Sequence, residues 1–209
     1  MKLMILIILG LSLVLGCGHA EQRSETVAAE IIVKFAAQEE ISDTIVKALN
    51  DSSAETTIND FVADLSRELG VPLTYSRLTS GREIIIAIPA ERVIQEIVGR
   101  LENSDGVSDV VVERATQDDG PVNIGRILVT IAPSENDPGV DADALGARLV
   151  GAEDYPVACD RLPDNRLLIR PDFERLVATL VTRLAGRPGV EYAQPNYVVR
   201  HYNRPGHER

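Results

Sequence analysis

The clearest residues for covalent chemistry lie at the N-terminus of this 209-residue chain. Val14-Leu15-Gly16-Cys17 closes an apolar run over residues 3–15, and Lys2 precedes that run. A positive residue, a short apolar segment and a small residue before a cysteine are typical of a bacterial lipoprotein signal. We therefore predict a signal peptide over residues 1–16, cleavage before Cys17, and acylation of the thiol and the amine of Cys17.

The lipoprotein interpretation has an alternative, an ordinary secretory peptide cleaved near Ala20 with an incidental cysteine. If Cys17 is acylated, residues 17–29 form a tether and the protein is held to a membrane in the cell envelope. Gly18 follows the cysteine, which resembles an outer-membrane address in a Gram-negative cell. The expected location is then the periplasmic face of the outer membrane.

The other reactive side chains do not form a catalytic or metal-binding pattern. His19, His201 and His207 lie near the two ends of the chain. Cys159 is expected to act as a small hydrophobe in a strand, although a reactive thiol is the alternative. The carboxylates of residues 137–143 do not have the spacing of a calcium loop and predict a turn and a helix cap. We therefore predict a non-enzymatic protein with no cofactor and no metal.

A repeat dominates the rest of the sequence. Glu91-Arg92, Arg100-Leu101 and Gly106-Val107 recur 83 residues later as Glu174-Arg175, Arg183-Leu184 and Gly189-Val190. A fixed internal offset predicts two copies of one structural unit. The second copy continues through Tyr192 to Tyr202, so only this copy is expected to present an extended C-terminal arm.

Charge and composition limit the classes of partner. Removal of residues 1–16 takes away Lys2, and the net charge falls from −11 to −12. Such a charge opposes binding to nucleic acid and to anionic lipid surfaces. Cys17 and Cys159 are the two cysteines in the sequence, so an acylated chain has no internal disulfide.

The elements that must hold the arm follow from periodicity. Residues 30–35 and 126–131 alternate apolar and polar positions, which predicts a strand opening each unit. Residues 90–101 and 173–184 carry matching apolar stripes, which predict a helix in the second half of each unit. An earlier helix is expected in each, capped by Asn59 or Asp60 in the first unit and by Asp141 or a neighbour in the second. Two hairpin strands lie between the helices.

The opening strands are 96 residues apart and the later elements 83, so the first unit has extra residues. Ile41, Ile45, Val46 and Leu49 have helical spacing, and we predict an added short helix within residues 37–58.

Each unit thus has the order β-α-β-β-α-β. The predicted fold class is α+β, with two tandem ferredoxin-like domains whose antiparallel sheets carry helices on one face. The predicted domains are 30–115 and 125–203, joined by a linker over 116–124 and followed by a tail over 204–209.

The stretch from Leu184 to Tyr202 resembles the end of a subtilisin-type propeptide, the peptidase inhibitor I9 family. The resemblance lies in Gly-Val-x-Tyr, a following polar triplet (Gln194-Pro195-Asn196) and a short apolar run ending in tyrosine. Glu30–Phe35 is similar to the first strand of such propeptides. Both units are covered, the second by the more specific motif.

The resemblance implies an inhibitor or folding chaperone of a subtilisin-like serine protease, or both. Family members dock their sheet on the protease and lay the C-terminal segment through its cleft, by strand addition. Because no protease sequence follows in the chain, binding in trans is expected.

By the same resemblance, Tyr202 would lie before the cut bond, Val199 in the outer apolar pocket and His201 between Arg200 and Tyr202. Arg200 would point away from the enzyme. The predicted protease-binding residues are Tyr192, Asn196, Tyr197, Val198, Val199, Arg200, His201 and Tyr202.

Two alternatives stay open. The tyrosines are equally explained as strand residues on a half-buried sheet, with residues 200–202 a frayed tail. The alternative function is a non-catalytic adaptor of the envelope that binds a partner through an exposed sheet edge.

Overall fold

A computed structural model describes residues 27–113, 125–132, 141–151 and 155–196. These ranges contain eight strands and five α-helices. The strands are β1 (Val27–Phe35), β2 (Thr74–Leu78), β3 (Ile84–Pro89), β4 (Val107–Glu113), β5 (Arg126–Ile131), β6 (Val157–Leu162), β7 (Arg166–Pro171) and β8 (Val190–Pro195). The helices are α1 (Glu40–Ala48), α2 (Glu55–Leu69), α3 (Ala90–Glu102), α4 (Ala142–Val150) and α5 (Phe173–Ala185).

The strands form two four-stranded antiparallel sheets. The first sheet has the order β2-β3-β1-β8, and the second has the order β4-β5-β7-β6. The predicted α+β class with antiparallel sheets is therefore confirmed.

The sheets do not follow the repeats. β8 belongs to the second repeat but pairs with β1, from Ile31–Pro195 to Phe35–Val190. β4 belongs to the first repeat but pairs with β5, from Val107–Ile131 to Glu113–Arg126. The two repeats have thus exchanged their last strands, and the predicted ferredoxin-like topology of each contiguous unit is not confirmed.

The helices that precede the exchanged strands are exchanged as well. α5 packs against β8 and β1 of the first sheet, while α3 packs against β4 of the second. The similarity of the repeats explains how each sheet can accept the final helix and strand of the other repeat. Each opening strand buries alternate apolar side chains, and a final helix and strand built on one plan can pack on either. The buried side chains of the opening strands are Ile31, Val33 and Phe35 in β1, and Ile127, Val129 and Ile131 in β5.

Two matched arginines lie at the ends of matched helices. Arg183 of α5 donates to the Leu69 carbonyl at the end of α2 (3.0 Å), and Arg100 of α3 donates to the Gly151 carbonyl after α4 (3.2 Å). A cation is favourable there because the last carbonyls of a helix lack intrahelical partners. The arginines recur at the repeat offset in the sequence, and the exchange gives each the same role.

The two repeats also meet at Tyr155, which is 1% exposed. Its hydroxyl donates to the Gly70 carbonyl at 2.9 Å, and the Arg100 guanidinium lies 4.7 Å from its ring centroid. A buried tyrosine needs a hydrogen-bond partner, so this contact ties the segment before β6 to the end of α2.

Most predicted elements are confirmed, with one correction. The added helix of the first unit is α1, and Asp141 caps α4 by accepting from the Ala144 amide at 3.1 Å. The predicted cap of α2 at Asn59 or Asp60 is wrong, because the helix begins at Glu55 and Asn59 donates to the Glu55 carbonyl within it. Ile58, one turn before Val62, is also buried on the sheet side of α2, which favours the longer helix.

The repeated Gly-Val turns have a shared backbone requirement. Gly106 and Gly189 adopt φ values of 84° and 82° immediately before β4 and β8. Only glycine takes this conformation readily, so the turns that open both exchanged strands depend on it. Within the described ranges, no helix is long and apolar enough to cross a membrane.

Candidate functional site

The structure describes two of the eight predicted protease-binding residues, Tyr192 and Asn196, both on or next to β8. Tyr197, Val198, Val199, Arg200, His201 and Tyr202 lie outside the described residues, as does Cys17. The site can therefore be built from the strand that leads into the predicted arm.

β8 is an edge strand of the first sheet. It pairs with β1 on one side and is the last strand in the sheet order on the other. An edge strand presents unpaired backbone N–H and C=O groups, which can pair with an added chain. Among the described strands none pairs with the other side of β8, so the exchange places a sheet edge directly before the predicted arm, and the first repeat supports that edge.

The end of β8 is held at Asn196 by Glu30 of β1. The Asn196 amide nitrogen donates to the Glu30 carbonyl at 2.8 Å, and its side-chain Nδ2 donates to Glu30 Oε2 at 2.6 Å. Glu30 also accepts from the Arg77 guanidinium at 2.8 and 3.0 Å and from the Ser76 hydroxyl at 3.0 Å. Four side-chain donors from two segments, β2 and the end of β8, thus converge on the Glu30 carboxylate and fix the position where the described chain ends.

The electrostatics of Glu30 favour its charged form. Burial opposes ionisation, but the hydrogen bonds from Arg77, Asn196 and Ser76 outweigh it, so the pKa of Glu30 lies below its ordinary value. The ionised carboxylate accepts all of these bonds without donating any. Glu30 therefore acts as a charged anchor for Asn196 at neutral pH.

Tyr192 has a second anchor two strands away. Its hydroxyl donates to Glu83, which also accepts from the Thr79 hydroxyl, and the Lys34 ammonium lies 5.7 Å from its ring centroid. The bond to Glu83, together with burial, raises the pKa of Tyr192 to about 12. The bonds from Thr79 and Tyr192 lower the pKa of Glu83. The Tyr192 ring is therefore fixed on the outer face of the sheet, which is the face opposite the helices.

Sequence reasoning missed Glu30, Arg77 and Glu83. The alternation of β1 already placed Glu30 and Lys34 opposite the buried Ile31 and Val33. Their partners on β8 are more than 150 positions away, as in the Asn196–Glu30 pair at a separation of 166. Only the exchange of strands reveals that pairing.

Cys159 lies in a different part of the fold. It is 7% exposed, and burial, with the nearby Asp143 charge, raises the pKa of its thiol to about 12. A thiol that stays protonated is a poor nucleophile, which favours the small-hydrophobe interpretation. Among the described residues, no group of three or more His, Cys, Asp or Glu side chains is arranged to hold a metal ion.

No protein-family model matches the chain, and neither the curated proteins nor the solved structures contain a match.

Proposed function

We propose that the chain is a lipid-anchored, non-catalytic inhibitor or folding chaperone of a subtilisin-like serine protease, bound in trans. The observation that carries this proposal is the edge position of β8 among the described strands, since its end is held by Glu30 and leads into residues 197–202. The sequence of that arm supplies the resemblance to protease propeptides.

The mode of binding is strand addition followed by occupation of the cleft. The edge of β8 offers backbone groups for pairing, and alternate side chains of the arm enter pockets of the protease. A fixed starting point reduces the number of arm conformations that binding must order, which favours affinity. Asn196 and Tyr192 thus act before the contact is made, by holding the strand in place.

The exchange also suggests how the family fold is reached. We propose that each sheet, together with the helices packed on it, is a ferredoxin-like unit assembled from both repeats. In the first sheet β8, the last strand before the arm, lies beside the opening strand β1. The first repeat then supplies three of the four strands behind the arm.

Inhibition of purified subtilisin by the processed chain tests the proposal. We expect slow or tight inhibition at micromolar concentrations or below. Absence of inhibition, together with no effect on refolding of the protease, would contradict both forms of the proposal.

Two truncations locate the activity. Removal of residues 203–209 should leave inhibition unchanged, whereas removal of residues 198–209 should abolish it. Circular dichroism and thermal unfolding of both truncated chains control for folding. If neither the full chain nor Tyr202→Ala inhibits the protease and pull-down with both recovers a partner other than a protease, the adaptor function replaces this one.

A further inference from the structure

The second sheet has an outer face that differs from that of the first. α4 packs against β6 and β7, and α3 against β4, on the face where Ile127, Val129 and Ile169 are buried. Side chains at the intervening positions point to the opposite, outer face. On β4, β5 and β7 these residues are Asp109, Val111, Glu113, Arg126, Leu128, Thr130, Arg166, Leu168 and Arg170.

An apolar row crosses the middle of this face. Val111 pairs with Leu128, and Leu128 pairs with Leu168, so the three side chains are neighbours across β4, β5 and β7. Val111 is 45% exposed, and both leucines are half-buried. An exposed apolar row bordered by charges is typical of an interaction surface.

The charges beside this row are sorted by strand. β4 carries Asp109 and Glu113 on either side of Val111, while β7 carries Arg166 and Arg170 on either side of Leu168. β5 lies between β4 and β7, so these acids and arginines are two strand spacings, about 10 Å, apart within one chain. Within the chain Arg170 instead binds Asp160 of β6 at 2.6 Å, and Arg166 lies 3.9 Å from Asp164; these ion pairs are solvent-exposed and therefore weak. The acid-apolar-acid pattern of β4 thus matches the Arg-Leu-Arg pattern of β7, but each chain holds the two patterns apart.

We propose that the outer face of the second sheet is a docking surface for a second copy of this chain. A twofold axis parallel to β5 and passing over it places β4 of one copy above β7 of the other. Val111 then faces Leu168, Asp109 faces Arg166, and Glu113 faces Arg170, and symmetry repeats all three contacts.

The proposed axis brings one pair of like charges together, and an opposite charge lies beside each of them. Arg126 of each copy faces its own symmetry mate, but the cross-strand partner of Arg126 is Glu113. Opposite charges placed across an interface fix its register and disfavour other partners. The proposal is independent of protease binding, because the second sheet does not contain β8.

The first sheet lacks this pattern at the matching positions. Offset by 83 residues, Asp109, Val111 and Glu113 correspond to Tyr192, Gln194 and Asn196 of β8. Tyr192 and Asn196 are bound to Glu83 and Glu30 within the same sheet. Gln194 is therefore a matched control position, on the outer face of the first sheet and polar where the second sheet has Val111.

Sedimentation velocity of the processed chain in density-matched detergent tests the proposal. We expect a concentration-dependent dimer. Val111→Asp would place a carboxylate against Leu168 and should weaken association roughly tenfold or more, whereas Gln194→Asp should leave it unchanged. A monomer at all accessible concentrations, or equal weakening by the two substitutions, would overturn the proposal.

A charge exchange tests the register. Asp109→Arg and Arg166→Asp should each weaken association, because each places like charges in contact across the axis. The double variant restores opposite charges and should dimerise nearly as well as the unaltered chain. A double variant weaker than both single variants would overturn the assigned contacts, and thermal unfolding of all three controls for folding.

Discussion

The two sheets are assembled from two copies of the same repeat, but their outer faces carry different residues. The middle row of the outer face is Gln194, Ile32 and Ile85 in the first sheet, and Val111, Leu128 and Leu168 in the second. In the first sheet hydrogen bonds bind the last residues of β8 to the sheet, whereas in the second sheet Val111 is 45% exposed. In our two proposals the sheets therefore have different tasks, with the first sheet holding the arm and the second contacting another copy of the chain.

The largest expected effect concerns the exchange that links the sheets. Cleavage of the chain between residues 114 and 124, at an engineered protease site, should leave the two pieces associated. Each piece supplies a helix and a strand to the sheet of the other, so separation requires both sheets to come apart. We expect the cut protein to elute as one species and to unfold in a single transition. Pieces that separate under native conditions would instead indicate that each repeat folds by itself.

A large effect on stability is expected at Gly146 of α4, which packs in contact with Cys159. A Cβ at Gly146 would overlap the Cys159 sulfur and lie 3.2 Å from its Cβ. We expect Gly146→Ala to lower the free energy of unfolding by about 1–3 kcal/mol, the usual cost of overpacking a core. Urea unfolding measures this change.

Gly99 of α3 is the matched control, since a Cβ there would meet nothing within 4 Å. Gly99→Ala should stabilise the protein by up to about 1 kcal/mol, because alanine favours a helix over glycine. Equal effects of the two substitutions would contradict the close packing of α4 on β6.

A comparable loss of stability is expected at Glu30. Glu30→Ala removes the acceptor of bonds from Asn196, Arg77 and Ser76 and should cost about 1–3 kcal/mol. Arg126 is the matching position in the second sheet and is exposed, so Arg126→Ala should change the free energy of unfolding by less than about 0.5 kcal/mol. Thermal unfolding of both variants at low protein concentration compares them.

The smallest expected effect is the pH dependence due to Glu30. Its pKa is lower in the folded protein than in the unfolded chain, so its contribution is fully present above the unfolded pKa. The contribution is lost as the pH falls through the folded pKa. Glu30→Gln should therefore reduce the difference in unfolding free energy between pH 7 and pH 3. An unchanged difference would show that Glu30 is not held as a charged anchor.

Local patterns in the sequence predicted the elements well. Apolar periodicity located α3, α5 and the hairpin strands, and the extra helix followed from the mismatch between the offsets of 96 and 83. Asp141 was predicted as a cap because its side chain acts within its own turn. Such signals depend on residues a few positions apart.

The partners of the strands were not predictable in the same way. β1 and β5 present equivalent apolar faces, so periodicity alone does not decide whether β8 pairs with one or the other. The anchor of the arm at Glu30 depends on that choice. Tyr192 and Asn196 are predicted to lie beside the contact, but no local pattern connects them to Glu83 and Glu30 of the first repeat.

A pair of engineered cysteines tests the pairing of β8 most directly. In a chain carrying Cys159→Ser, Ile32→Cys and Gln194→Cys replace directly opposite residues of β1 and β8, which are close enough for a disulfide. We expect this pair to form an intrachain bond under mild oxidation. Leu128→Cys with Gln194→Cys should not, because Leu128 lies opposite Val111 in the second sheet. A bond between positions 128 and 194, with none between 32 and 194, would contradict the exchange and remove the first repeat from the site.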